Sequence, residues 1–205
     1  MHALIIVDIQ NDFVPGGALA VPAGDEIIPL VNDLQKSFNF VVATQDWHPE
    51  NHKSFASSHP EKKVFDQIVL HGLDQILWPD HCIQGTWGAE LHRGLSLKKV
   101  EAIFRKGMDP DIDSYSGFYD NGYKKSTGLA GYLRERKVTK VYICGLASDY
   151  CVFYTAKDAI KENFETYIIE DATRPINPNG FEEAKAEILL SGGQIISVKN
   201  LYRHL

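Results

Sequence analysis

Ala3-Leu-Ile-Ile-Val7 is an unbroken apolar run that stops at Asp8, and it restricts the fold more than anything else in the chain. A strand with one wet face alternates apolar and polar residues. A strand with no wet face reads as continuous Val, Ile and Leu, the habit of parallel sheets covered by helices on both sides. The run is too short to span a bilayer, and Asp8 and Asp12 follow it directly. Similar segments recur at Phe40 to Thr44, Val100 to Phe104, Lys140 to Cys144, Thr166 to Ile169 and Gln194 to Val198.

Between these segments the apolar spacing turns helical. It does so over Glu26 to Phe38, with Asp25 as capping candidate, and over Gly128 to Arg136, with Ser126 and Thr127 in that role. Further helices are expected from Cys151 to about Asn163 and from Gly180 to Leu190, the latter closed by Ser191-Gly-Gly. Strands alternating with helices predict an α/β fold: a single-domain, open, mostly parallel six-stranded sheet with helices on both faces and right-handed crossovers. At 205 residues, one domain over 1–205 is sufficient. From about residue 47 to 97 periodicity fails while Pro, His, Gly and all the tryptophans accumulate. Such a long ordered excursion is expected to build a pocket, with a short helix at Lys63 to Leu70.

A net charge of −6 and the lack of a long Lys/Arg run argue against nucleic acid or an anionic membrane as partner. Three widely spaced cysteines, behind an N-terminus without a basic leader pattern, point to a reducing, cytoplasmic compartment.

In a parallel sheet the C-terminal strand ends share one edge, and ligands bind along it. Asp8, Asp46, Lys106 and Cys151 all fall at or just past such ends. Cys151 also opens a helix, where free N–H groups and the helix dipole favour thiolate over thiol, which makes it a candidate nucleophile. Cys144, inside an apolar run, reads as packing. Asp46-Trp-His48-Pro-Glu-Asn-His52, joined by His81 in Trp78-Pro-Asp-His81-Cys82, offers mixed oxygen and nitrogen ligands. That donor set suits zinc, iron or manganese with an open coordination position. Cys82 is assigned to packing, and His2, His59, His71, His92 and His204 to surface or core.

Ile6-Val-Asp8-Ile-Gln-Asn-Asp-Phe13, the two histidine segments above, Lys106-Gly-Met-Asp, Asp113-Ser-Tyr-Ser-Gly-Phe and Gly145-Leu-Ala-Ser-Asp-Tyr-Cys151-Val occur in an order that resembles the nicotinamidases, within the isochorismatase-like cysteine hydrolases. The resemblance covers nearly the whole chain. It implies a catalytic triad of Asp8, Lys106 and Cys151, and an oxyanion hole from the N–H groups of Ala147 and Cys151 next to a cis peptide before Ala147. It implies a divalent metal, zinc by preference over iron or manganese, on Asp46, His48 and His81, with His52 as a further ligand candidate. Phe13, Trp78, Tyr115 and Tyr150 match positions lining the nicotinamide pocket. The implied activity is hydrolysis of nicotinamide to nicotinate and ammonia through a cysteine thioester, in NAD salvage, with pyrazinamide also accepted. A metal-dependent amide hydrolase, in which metal-bound hydroxide attacks and Cys151 is structural, is the alternative. Aromatic loops make a homo-oligomer plausible.

Overall fold

The N-terminal run forms β1 (His2–Val7), and its side chains divide by period between two cores. Ala3, Ile5 and Val7 join one buried cluster, Leu4 and Ile6 the other. Successive strand residues point to opposite faces, so the sheet carries a core on each side. Every residue from Ala3 to Val7 is fully buried, and each Leu, Ile or Val so placed contributes about 1.5–3 kcal/mol. The structure is a computed structural model that describes residues 1–201 and 203; His204 lies outside them.

The central sheet has six strands, all parallel, in the order β5-β2-β1-β6-β7-β8. They are β2 (Val41–Asp46), β5 (Val100–Lys106), β6 (Lys140–Leu146), β7 (Glu165–Arg174) and β8 (Gln194–Ile196) around β1. From β1 the chain moves out through β2 to β5, then returns to lay β6 on the other flank of β1 and continues outward. The order therefore reverses at β1, and the crevice at the strand ends beside it is where such folds bind ligands. Gly145 permits the closest β1–β6 approach: its φ is +114°, and a Cβ there would lie 2.0 Å from the Val7 carbonyl oxygen.

Helix α1 (Ile28–Leu34) buries Ile28, Val31 and Leu34 in one core. Helices α2 (Leu129–Glu135), α3 (Cys151–Lys161) and α4 (Pro178–Leu190) cover the other face through Leu133, Val152, Ala156 and Ile188.

Four local expectations are corrected. The helix expected over Glu26 to Phe38 is α1 between single 3-10 turns at Gly24–Ile27 and Gln35–Ser37, because Pro29 lacks the N–H an interior position needs. Ala23 takes the cap position instead of Asp25, which lies inside the first 3-10 turn. Lys63 to Leu70 is not a helix: β3 (Gln67–Leu70) and β4 (Leu73–Ile76) make an antiparallel hairpin apart from the main sheet. His71 (φ 50°) and Gly72 (φ 82°) supply the two positive-φ residues of a primed turn. Finally β8 stops at Ile196, and Val198 begins the short helix α5 (Val198–Leu201). No helix among the described residues is long and apolar enough to cross a membrane.

Candidate active site

Parallel strand ends deliver the charged groups to one point. Asp8 follows β1 with φ 45°, Asp46 closes β2, Lys106 closes β5, and Cys151 is the first residue of α3. Lys106 Nζ lies 2.9 Å from Asp8 Oδ2, 2.7 Å from Asp46 Oδ1 and 3.4 Å from Cys151 Sγ, and donates to the Ser114 carbonyl at 2.9 Å. Thr44 Oγ1 donates to the other Asp8 oxygen at 2.6 Å. Cys151 Sγ lies within 4.8 Å of a carboxylate oxygen of Asp8 and of one of Asp46.

Burial governs the charges. It pushes the Asp8 carboxyl up; Lys106 and Thr44 pull it back, and Asp46 adds to the rise. Burial also pushes the Cys151 thiol well up, with Asp8 and Asp46 adding and Lys106 opposing. The first-turn position favours thiolate, yet full burial beside two carboxylates outweighs it, so the resting sulfur keeps its proton. Lys106 resists burial because Asp46, Asp8 and Cys151 hold its proton, which leaves it firmly cationic. For Asp46 burial acts upward, but Lys106, His48 and His81 together hold the carboxyl far below its usual range.

On its other side Asp46 faces imidazoles. Its Oδ2 lies 3.6 Å from His48 Nε2 and 3.9 Å from His81 Nε2. His48 Nδ1 is 2.8 Å from the Gly107 carbonyl and His81 Nδ1 is 2.8 Å from that of Pro79. A carbonyl only accepts, so each Nδ1 carries a proton and each Nε2 faces Asp46. Burial opposes a second proton on both rings, but Asp46 raises the His48 imidazole above its usual value, whereas burial and His48 push His81 down to about 4. One donor atom from each of Asp46, His48 and His81 fits within a 4.8 Å span. Two imidazole nitrogens and a carboxylate oxygen, with the Gly107 and Pro79 carbonyls orienting the rings, fit a divalent cation, which would displace any proton on Nε2. His52, also buried, differs: its Nδ1 accepts the Ser54 backbone N–H at 3.1 Å, its Nε2 has no hydrogen-bond partner, and one of its ring nitrogens lies within 4.8 Å of donor atoms of His48 and Asp113.

Gly107 makes room for the His48 ring. Its φ is +66°, and a Cβ there would come 2.3 Å from His48 Cε1 and 3.2 Å from Asp46 Oδ1. Gly107→Ala is expected to weaken the binding of a divalent metal at these three residues by about 10–100-fold, the scale on which lost support of a ligand is felt. Competition with a chromogenic chelator measures this, and unchanged affinity would show that the ring position is not critical.

A cavity of about 340 Å³, mouth included, opens beside the sulfur and is lined by Phe13, Trp78, Tyr115 and Tyr150 together with Cys151, His81 and Asp46. Ala147 lines it too, while Asp8, Lys106, His48 and His52 are buried behind this lining. Phe13 packs on His81 with ring centroids 5.5 Å apart. The Leu146–Ala147 peptide is cis, and the Ala147 carbonyl accepts from the N–H groups of Tyr150 and Val152. Cys82 and Cys144 are buried, and burial raises both thiols.

Sequence reasoning missed several contributors. Leu19, Asp113 and Ile176 line the cavity, and Thr44 and Ser114 hold Asp8 and Lys106. Gln10 clamps the Asp46 backbone, accepting its N–H at 2.7 Å and donating to its carbonyl at 2.8 Å. Gln10 and Asp113 sit inside motifs already singled out; Thr44 and Ile176 carry no local signal.

Residues 2–200 match the isochorismatase domain model. The chain is 52% identical over 200 residues to a nicotinamidase of Acinetobacter baylyi, covering 97% of this chain and 94% of that relative. Among solved structures, an Acinetobacter baumanii nicotinamidase and pyrazinamidase superposes with a TM-score of 0.95 at 48% identity, covering 98% of this chain and 97% of that one. A Pyrococcus horikoshii pyrazinamidase in complex with zinc gives 0.80 at 42% identity, over 96% of this chain and 98% of that one.

Proposed function

The chain belongs to the isochorismatase domain family, and from that membership and the site geometry we propose that it is an amidohydrolase converting nicotinamide to nicotinate and ammonia, in NAD salvage. Pyrazinamide, which keeps the aromatic ring and the carboxamide, is a second substrate. The observation that carries this reading is the buried group of Cys151 Sγ, Asp8 and Lys106 Nζ at the wall of an aromatic cavity.

A carboxamide is a weak electrophile, so the nucleophile must be generated at the moment of attack. Asp8, raised by burial, takes the Cys151 proton, and the sulfur forms a bond to the amide carbon. Lys106, 3.4 Å from Sγ, offsets the negative charge on the sulfur during this transfer. The N–H groups of Ala147 and Cys151 donate to the oxyanion. Protonated Asp8 passes its proton to the departing nitrogen, the C–N bond breaks, and ammonia leaves a thioester on Cys151. Asp8 then takes a proton from water, whose oxygen attacks the thioester carbon; nicotinate is released and the proton returns to sulfur.

Asp46, His48 and His81 are the residues that would hold a divalent metal, zinc by preference, with His52 beside them. When bound, the metal supplies a Lewis-acidic contact for the pyridine nitrogen and draws electron density from the ring. Phe13, Trp78, Tyr115 and Tyr150 pack the ring and exclude water. Three unpaired, buried cysteines suit a cytoplasmic enzyme.

Ammonia release from nicotinamide, pyrazinamide and an aliphatic amide such as butyramide tests the reading. Turnover is expected on both aromatic amides and not on the aliphatic one. Dialysis against a chelator should remove both activity and one equivalent of metal, with both restored by zinc. Failure on every aromatic amide would overturn the substrate, and full activity in metal-free protein would remove the metal from the reaction.

A further inference from the structure

The β3–β4 hairpin stands outside the sheet, yet Gln75 on β4 is 4% exposed and reaches the ring pocket's wall. Its Nε2 lies 3.0 Å from Asp113 Oδ2, 3.2 Å from Tyr115 Oη and 2.7 Å from the Ile76 carbonyl. The Tyr115 hydroxyl also accepts from Trp78 Nε1 at 3.1 Å. Tyr115 packs edge-on against Trp78 and Tyr150, with centroids 6.2 Å and 5.6 Å away. Beyond it lies a second, more open cavity of about 930 Å³, mouth included, lined by the hairpin and by Tyr115, Tyr150 and Tyr154. Tyr115 and Tyr150 border both spaces, whereas Gln75 borders only the outer one.

We propose that Gln75 is a positioning residue that sets the largest ring the enzyme accepts, by holding Tyr115 as the partition between the inner pocket and the outer cavity. The proposal rests on the hydrolysis of nicotinamide argued above. Gln75 touches neither substrate nor reacting atoms. It acts by tying the Tyr115 hydroxyl to the hairpin, and a buried hydroxyl stays where its partners are. Without that bond the hydroxyl keeps one tether, to Trp78, and the ring, packed on Tyr154 with centroids 5.2 Å apart, borders the outer cavity into which it can turn. With the amide at Cys151 and the ring nitrogen toward Asp46 and His81, C5 of the pyridine is meta to both anchors and faces away from the chemistry. In the proposal a substituent on C5 is directed at Tyr115, one of the walls left once Cys151, Asp46 and His81 take the anchors, and its acceptance reports whether the partition holds.

The test compares kcat/KM for nicotinamide and 5-phenylnicotinamide in the wild-type protein, in Gln75→Met, which keeps length and bulk without the donor, and in Tyr115→Phe, which removes the acceptor and leaves the hairpin untouched. The ratio of the bulky to the parent amide is expected to rise fivefold or more in each variant. A ratio that stays within fivefold of wild type overturns the proposal, as does general destabilisation, which lowers both amides together and leaves the ratio unmoved. Should Gln75→Met fail to fold, Gln75→Leu, which also lacks the donor, takes its place; Tyr115→Phe removes the bonds from both Gln75 and Trp78, and an unmoved ratio there overturns the partition itself. Wild-type protein that releases no ammonia from nicotinamide overturns the functional reading instead, and this inference with it.

Discussion

Cys151→Ala is expected to cut nicotinamide turnover by about 10⁴- to 10⁶-fold, the range in which loss of a nucleophile acting as part of a unit is felt. Zinc affinity and the unfolding midpoint should change little, because Asp46, His48 and His81 make their contacts without the sulfur. Trapping separates the mechanisms further: acid-quenched wild-type protein should carry a nicotinoyl adduct on Cys151, visible as a mass shift of the intact chain, and the variant should carry none. Turnover in Cys151→Ala within about tenfold of wild type, with metal bound, would overturn the covalent route.

Lys106→Met is expected to be the most destabilising single change at the site. Asp8 and Asp46 are both buried, with side-chain exposures of 0% and 4%, and both rely on the same ammonium. Removing one partner of a buried ion pair leaves charge without compensation and costs about 3–5 kcal/mol. Denaturant unfolding of metal-stripped protein is the appropriate measurement, since a bound cation would shield Asp46. Adding Asp8→Asn should recover part of the loss, because a neutral amide removes one of the two stranded charges. If Lys106→Met unfolds within about 1 kcal/mol of wild type, the ammonium is not what stabilises the two acids. Activity should fall with it, since Lys106 also faces the sulfur.

The strands at β1 and β2 were legible because each is an apolar run ended by a polar residue, a pattern set by burial on both faces; β6 is as buried but runs on to Gly145 and Leu146, and β5, with Glu101 in it, shows the alternation of a strand with one exposed face. The hairpin at Gln67–Ile76 was not, because a short apolar stretch has no period long enough to tell strand from helix. His71-Gly72 held the one usable clue, a turn pair with positive φ. Val198 was misread for a similar reason: strand and helix meet within two residues there. Among the residues that the structure brings to the site, Gln10, Asp113 and Ser114 stand inside motifs without a role of their own being legible there, while Thr44 and Gln75 lie outside the motifs. Their contribution is a single hydrogen bond or a small set of them to residues far away in the chain, and nothing in their neighbours announces it.

Composition and pattern alone were enough for the parallel sheet, for the common edge that collects Asp8, Asp46, Lys106 and Cys151, and, through motif order, for the family. Those properties follow from periodicity and local chemistry, which a linear string carries intact. The protonation of the site was decided by packing: a helix N-terminus argues for a thiolate at Cys151, and full burial beside two carboxylates argues more strongly for a thiol. The tautomers of His48 and His81 and the walling-in of the pocket by Tyr115 likewise depend on partners from distant segments. Electrostatic energies scale with distance and with the polarizability of the surroundings, and both exist only once the chain has folded.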